Sequence, residues 1–202
     1  MVRRHLLHRE DGISSVEFAI VCSVFFLFVF GMIDFSRALW EWNGAAKATH
    51  SGVRFAVVND PVTDVVDFDG IANGIGNGQV IPLTDFNGGD PVVCKWWPND
   101  GTKCIVNGKP EPGNDTAFLA IVDRMKQTYD QIEPRNVIVE YRHIGLGFSG
   151  NPFGSDIIPS VTVRLEMDAF EFVTPGLSGL FTIDRPDYQT TFTAEDHQTV
   201  TP

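Results

Sequence analysis

From Phe18 to Ile33 the chain carries no charged residue, and only Ser23 and Gly31 interrupt its large apolar side chains. With Ile13 and Val16 just ahead, the segment approaches the roughly 20 residues that a helix needs to cross a bilayer's hydrocarbon. Arg3, Arg4 and Arg9 precede it with His5 and His8, whereas Asp34, Arg37, Glu41 and Lys47 follow with mixed signs. The basic flank therefore predicts a single-pass chain with a cytoplasmic N-terminus and an external C-terminus. Glu17 falls one turn inside this apolar helix. A carboxylate at the edge of a span is costly unless it snorkels, pairs or serves a function, so Glu17 is the first candidate functional residue.

Two blander readings compete. A cleaved secretory signal peptide also has a basic start and an apolar centre. This apolar segment, however, exceeds the usual length of about 7–15 residues, and no small-x-small cleavage site follows until Ala46 and Ala48. A plain uncleaved anchor explains the span and leaves Gly12 and Glu17 without a role.

Gly12 followed by Glu17 five positions on, directly before a hydrophobic helix, resembles the cleavage region of type IV pilin-like precursors, in which a membrane aspartyl peptidase cuts after the glycine. The stretch Ser15-Val16-Glu17-Phe18-Ala19 is followed by Phe30-Gly31-Met32-Ile33-Asp34-Phe35-Ser36-Arg37-Ala38. Next come Asn43-Gly44-Ala45-Ala46-Lys47-Ala48 and Ser51-Gly52-Val53-Arg54-Phe55-Ala56. Together these resemble the N-terminal motif of TadE-like pilus assembly proteins, the pseudopilins of bacterial tight-adherence systems. The resemblance covers about the first quarter of the chain. It implies processing by a prepilin-type peptidase between Gly12 and Ile13, and an assembly role for Glu17. It also implies an inner-membrane protein with a periplasmic C-terminal region, whose partners are other pilin or pseudopilin subunits and the pilus assembly machinery.

The 202 residues suffice for one span and one globular unit. The first 33 residues hold three basic and three acidic side chains, so the region beyond carries the whole net charge of −11. That acidity argues against nucleic-acid binding, which needs a basic footprint. Cys94 and Cys104 are separated by nine residues, and an oxidising periplasm would let them close a small disulfide loop. Two free thiols or a metal pair are the alternatives, although no further Cys or nearby His completes a zinc-type set. Cys22, inside the span, reads as packing.

Beyond the span Phe35, Ala38, Leu39, Trp42, Ala45, Ala46, Thr49, Val53 and Ala56 recur at three- and four-residue steps, which predicts that the helix continues with one apolar face. Arg37, Glu41, Lys47, His50 and Arg54 should point elsewhere, Asp34 can pair with Arg37, and the helix should break between Val58 and Pro61. From Asn59 to Gly113 the Gly, Asn, Asp and Pro content predicts turns and irregular hairpins, with short strands around Gln79–Leu83 and Pro91–Trp97. Trp96 and Trp97 read as a partner patch or as a lid over the core. Asn114 or Asp115 can cap a helix through Gln131 that Pro134 stops. Alternation predicts strands at 137–142 and 161–167, joined through Gly145–Gly154. A short helix at Pro175–Phe181 and a last strand at Tyr188–Ala194 complete the plan.

The expected fold is α+β, with a long N-terminal helix packed on a small antiparallel sheet. The boundaries are 1–12 for a basic leader, 13–57 for the membrane and amphipathic helix, and 58–202 for the periplasmic domain. Asp64, Asp67 and Asp69 raise the question of calcium, but an EF-hand register puts Val65 and Gly76 at ligand positions. No cofactor motif is present. His143, His197 and Gly147-Phe148-Ser149-Gly150 fit no hydrolase or phosphate-loop pattern, so the expectation is a non-catalytic protein. An uncleaved membrane-anchored binding or structural protein is the alternative, and a secreted enzyme the second.

Overall fold

The computed structural model describes residues 10–63, 74–150, 156–174 and 182–194. The leader up to Arg9, the acidic stretch around Asp67 and the expected helix at Pro175–Phe181 lie outside them. The architecture is α+β, as the sequence predicted, with a long helix against a small antiparallel sheet. The chain divides into two compact units, residues 1–41 with 169–184, and residues 42–168 with 185–202.

Helix α1 runs from Glu10 to Ala56 without a break. It ends at Ala56, just ahead of the expected break between Val58 and Pro61; Asn59 turns its side-chain amide back to the Phe55 carbonyl at 2.7 Å, and Pro61 cannot continue a helix.

In the larger unit, the last third of α1 and helix α2 (Asp115–Lys126) accompany six strands: β1 (Val92–Trp97), β2 (Gly101–Val106), β3 (Lys109–Pro112), β4 (Val137–His143), β5 (Pro159–Leu165) and β6 (Tyr188–Thr193). Every neighbouring pair is antiparallel, in the order β3-β2-β1-β4-β5-β6. Alternation places Val137, Val139 and Tyr141 of β4 and Val161, Val163 and Leu165 of β5 in the core, where they meet Phe118, Val122 and Met125 of α2.

Small residues let α1 come close. A methyl group on Gly44 would stand 2.9 Å from the Tyr129 ring, and one on Gly52 would stand 2.7 Å from Met125. The buried stripe of this part of α1 is accordingly Ala45, Ala48, Thr49, Val53 and Ala56.

Several expectations need correction. The 59–113 region supplies half of the sheet. Its Gly- and Pro-rich composition hides β2 and β3, because turn residues sit between very short strands and two prolines occupy an edge. Gln79–Leu83 is no strand. Pro82 lacks an N–H for a ladder, and Leu83–Asp85 turns as a 3-10 helix instead. Helix α2 stops at Lys126, but Tyr129 and Ile132 remain buried because tighter turns carry them on, with the Thr128 amide bonded to the Met125 carbonyl at 3.0 Å.

The disulfide joins Cys94 and Cys104, which face each other across β1 and β2 with Cα atoms 4.0 Å apart. Glu111 is the partner of Cys104 on β3, and the bond from the Gly113 amide to the Thr102 carbonyl fixes which residues hydrogen-bond along that ladder. Cys104 thus turns its backbone groups toward β3. It meets Cys94 at a non-hydrogen-bonded position, where side chains lie closest.

Candidate functional site: the two ends of the apolar helix

The apolar stretch of α1 exposes its side chains on all sides, as Phe18 (73%), Val21 (67%) and Phe28 (63%) illustrate. In the segment from Ser14 to Ala56 the helix is long and apolar enough to cross a membrane. A surface of this kind is stable only in lipid or against other apolar helices. Ser23 and Ser36 fold their hydroxyls back onto the Ala19 and Met32 carbonyls, each at 2.8 Å, so neither presents an unsatisfied polar group to that surface.

Gly12 and Ile13 fall in the first turn of α1. Glu17, one turn later, is exposed and makes no ion pair or hydrogen bond among the described residues.

At the other end of the apolar stretch, Asp34 is almost fully buried, at 3% exposure. Its Oδ2 accepts the Thr174 hydroxyl at 2.5 Å and the Thr174 amide at 2.9 Å, while Oδ1 accepts the Val173 amide at 3.3 Å. Arg37, one turn on, approaches Asp34 at 3.6 Å and Glu41 at 3.2 Å. The same guanidinium donates to the Glu171 carbonyl at 2.7 Å and lies 4.8 Å from the centre of the Phe170 ring. Phe170 pairs in turn with Ile183 as an isolated bridge. Here a carboxylate, a guanidinium and a second carboxylate tie a remote chain segment to the helix.

The sequence foresaw the pairing of Asp34 with Arg37. It missed the partner, Thr174, because a contact 140 positions away leaves no local signal. The predicted apolar face holds only in part at its start: Ala38 is buried as expected, but Phe35 (59%) and Leu39 (40%) are exposed, whereas Asp34 and Glu41 are buried. The face was assigned by hydrophobicity, but here Asp34 points at the packed segment because it accepts hydrogen bonds from Val173 and Thr174, and Glu41 pairs with Arg37.

In the larger unit, His143 is buried with Nε2 3.1 Å from the Ile81 carbonyl oxygen, a structural contact. The Tyr141 hydroxyl, enclosed by the core, accepts the Val62 amide at 2.9 Å, and burial pushes its ionisation far upward. Trp96 packs partly against the core, and Trp97 is exposed at the end of β1. Asn114 caps α2 by accepting the Ala117 amide at 3.1 Å. Asp115 reaches across to accept the Thr102 amide at 2.5 Å, and that bond holds its carboxyl below the usual carboxylate range. Among the described residues no group of three His, Cys, Asp or Glu could hold a metal ion.

The class these features define is a protein with one exposed apolar helix at its N-terminal end and an α+β unit stapled by a disulfide. Residues 12–54 match the family model described as TadE-like protein, in agreement with the resemblance read from the same residues. No curated protein and no solved structure matches the chain.

Proposed function

We propose that this chain is a pilus assembly protein or minor pseudopilin that binds and assembles rather than catalyses. A prepilin-type peptidase removes Met1–Gly12 on the cytoplasmic side of the inner membrane. The mature chain begins at Ile13, and the region beyond the span lies in the periplasm. The new amine of Ile13 is positive and close to the membrane. Glu17 of an adjacent subunit neutralises it, so that two charges costly alone become one contact that sets the register between subunits.

The observation that carries this reading is Glu17, without a partner among the described residues, in a segment that matches the TadE-like family. Inside a bilayer an unpaired carboxylate costs about 3 kcal/mol near the centre and less toward the edge. A partner from outside the chain removes that cost.

The test is the N-terminal residue of the membrane-extracted protein, read by mass spectrometry from cells with and without the peptidase. A peptidase-dependent start at Ile13 is expected. A start at Met1 or Val2 in both strains would reject processing and leave an uncleaved periplasmic anchor, and a soluble form beginning after the span would indicate a secreted protein.

A further inference from the structure

Helices α1 and α2 leave an open groove of about 750 Å³ between them, all of it within the larger unit. Gly44 lies against the Tyr129 ring and Gly52 against Met125, so α2 runs back along α1. Arg124 and Gln127 therefore stand toward Lys47 and His50 at one end of the groove, while Ala120 stands toward Phe55 and Val58 at the other. The first end is basic. The second is apolar, with Val58 57% exposed.

The charges of the groove are not neutralised within the chain. Elsewhere in the unit Lys95, Lys103, Arg135 and Arg164 each meet a carboxylate. The side chains of Lys47, His50 and Arg54 are exposed and make no ion pair or hydrogen bond among the described residues. The Arg124 guanidinium bonds the Gln127 side-chain oxygen at 2.8 Å, and Asp123, which also lines the groove, pairs with none of the cations. They cluster in this way on a chain whose net charge is −11.

We propose that this groove seats an amphipathic helix of a different protein, with Asp or Glu toward Lys47, Arg54 and Arg124 and apolar side chains over Phe55, Val58 and Ala120. Lys47 and Val58 stand about 16 Å apart along α1 by the rise of an α-helix, which a lone phosphate or carboxylate cannot span. The apolar end gives nothing to a polyanion. An extended peptide would bring unpaired backbone groups to a groove lined by side chains, whereas a helix satisfies its own. A helix also repeats its carboxylates at the two-turn step that separates Lys47 from Arg54. A second copy of this chain offers no such helix among the described residues. Its Asp34 and Glu41 are buried, its Asp115 accepts the Thr102 amide, and its Asp123 lies in the groove itself. Its Glu10, Asp11 and Glu17 lead into a stretch that exposes apolar side chains all round, and an open groove covers one side only. This inference uses the larger unit alone and does not depend on Gly12 or Glu17, so it stands or falls apart from the pilus reading.

The test is photocross-linking in the native membranes of its own cells, from p-benzoylphenylalanine placed in the full chain at Val58 or, in a separate chain, at Gln127. Joined peptides are sequenced by mass spectrometry, and the yield is taken per disulfide-bonded chain. The same foreign segment should be joined from both ends of the groove and carry Asp or Glu at helical spacing. Lys47→Glu with Arg54→Glu should lower the yield about tenfold, and the uncharged pair Lys47→Gln with Arg54→Gln about threefold. Lys109→Glu with Arg142→Glu, cations outside the groove, should leave it unchanged. No joined peptide at either position, a segment without such carboxylates, a lipid adduct, or a yield that survives both groove variants would overturn the proposal. A joined peptide from this chain would make the occupant a part or a second copy of it, again overturning the proposal.

Discussion

Glu17 and Asp34 bracket the same apolar stretch of α1, yet their surroundings are opposite. Asp34 is buried and accepts three hydrogen bonds from Val173 and Thr174, with a guanidinium one turn away. Glu17 is exposed and has no partner among the described residues. A carboxylate satisfied inside its own chain is part of the fold, and removing it harms the fold. A carboxylate at the edge of an apolar span, with no partner among the described residues of its own chain, has no such use there; the proposed function supplies its partner from an adjacent subunit. The comparison ties Asp34 to the stability of its own chain, and under the proposed function it leaves Glu17 for contact between subunits.

The largest effect should therefore be functional and come from Glu17→Ala. We expect incorporation of the subunit into the assembly to fall at least tenfold, measured as the fraction of tagged chain that co-sediments with surface filaments. Membrane insertion and resistance to protease should be unchanged, since an exposed side chain without contacts contributes within about 0.5 kcal/mol. Loss of protein from the membrane would show that Glu17 serves the fold after all, and the contrast with Asp34 would collapse.

Asp34→Ala should do the reverse. It strands two backbone amides and a hydroxyl in a buried site and leaves Arg37 with one carboxylate fewer, a loss on the order of 2–4 kcal/mol. Amide exchange at Val173 and Thr174 should rise by a factor of 30 or more, as that energy implies. Unchanged exchange would mean that these bonds contribute nothing.

How much of this contrast the sequence discloses depends on the range of the forces involved. Periodicity exposes α1, β4 and β5 because burial acts on neighbouring residues at fixed spacing. Glu17 stands out because a lone charge interrupts an apolar run. Of the partners of Asp34 the sequence shows Arg37, one turn away, but not Val173 or Thr174, which lie far along the chain in a segment with no pattern of its own. Strand β3 escapes for a different reason. Its Lys-Pro-Glu-Pro reads as a loop, and only the register with β2 shows that both prolines face outward. The disulfide is half legible: the spacing of Cys94 and Cys104 allows a loop, but their meeting at a non-hydrogen-bonded pair depends on the strand register.

Arg37 sharpens the comparison at the satisfied end. Replacing it with Leu removes its contacts with Glu41, the Glu171 carbonyl and the Phe170 ring, while the bonds from Thr174 to Asp34 remain. The expected loss is about 1–2 kcal/mol, smaller than for Asp34→Ala. Arg37→Lys should recover little of it, because a point charge cannot serve two carboxylates and a carbonyl as the planar fork does. Thermal unfolding of the detergent-solubilised chain would rank the three variants. An Arg37→Leu protein less stable than Asp34→Ala would mean that the guanidinium, and not the carboxylate, holds the segment.

Asp115 supplies the intermediate case, a carboxylate satisfied inside the chain yet exposed at the surface. The Thr102 amide holds its pKa below the ordinary 3.8. A depressed folded-state pKa gives stability that is fully present above the unfolded-state value and is lost as pH falls through the folded one. Asp115→Asn should therefore lower the unfolding temperature at pH 7 and at pH 5 by the same small amount. The gap between variant and parent should narrow only below about pH 4, where the parent loses its carboxylate. The effect should be the smallest of the four, because water screens an exposed group and competes for its hydrogen bonds. A gap that persists to pH 2 would mean that Asp115 acts through shape rather than charge, and that a surface carboxylate can be satisfied without contributing in its ionised form.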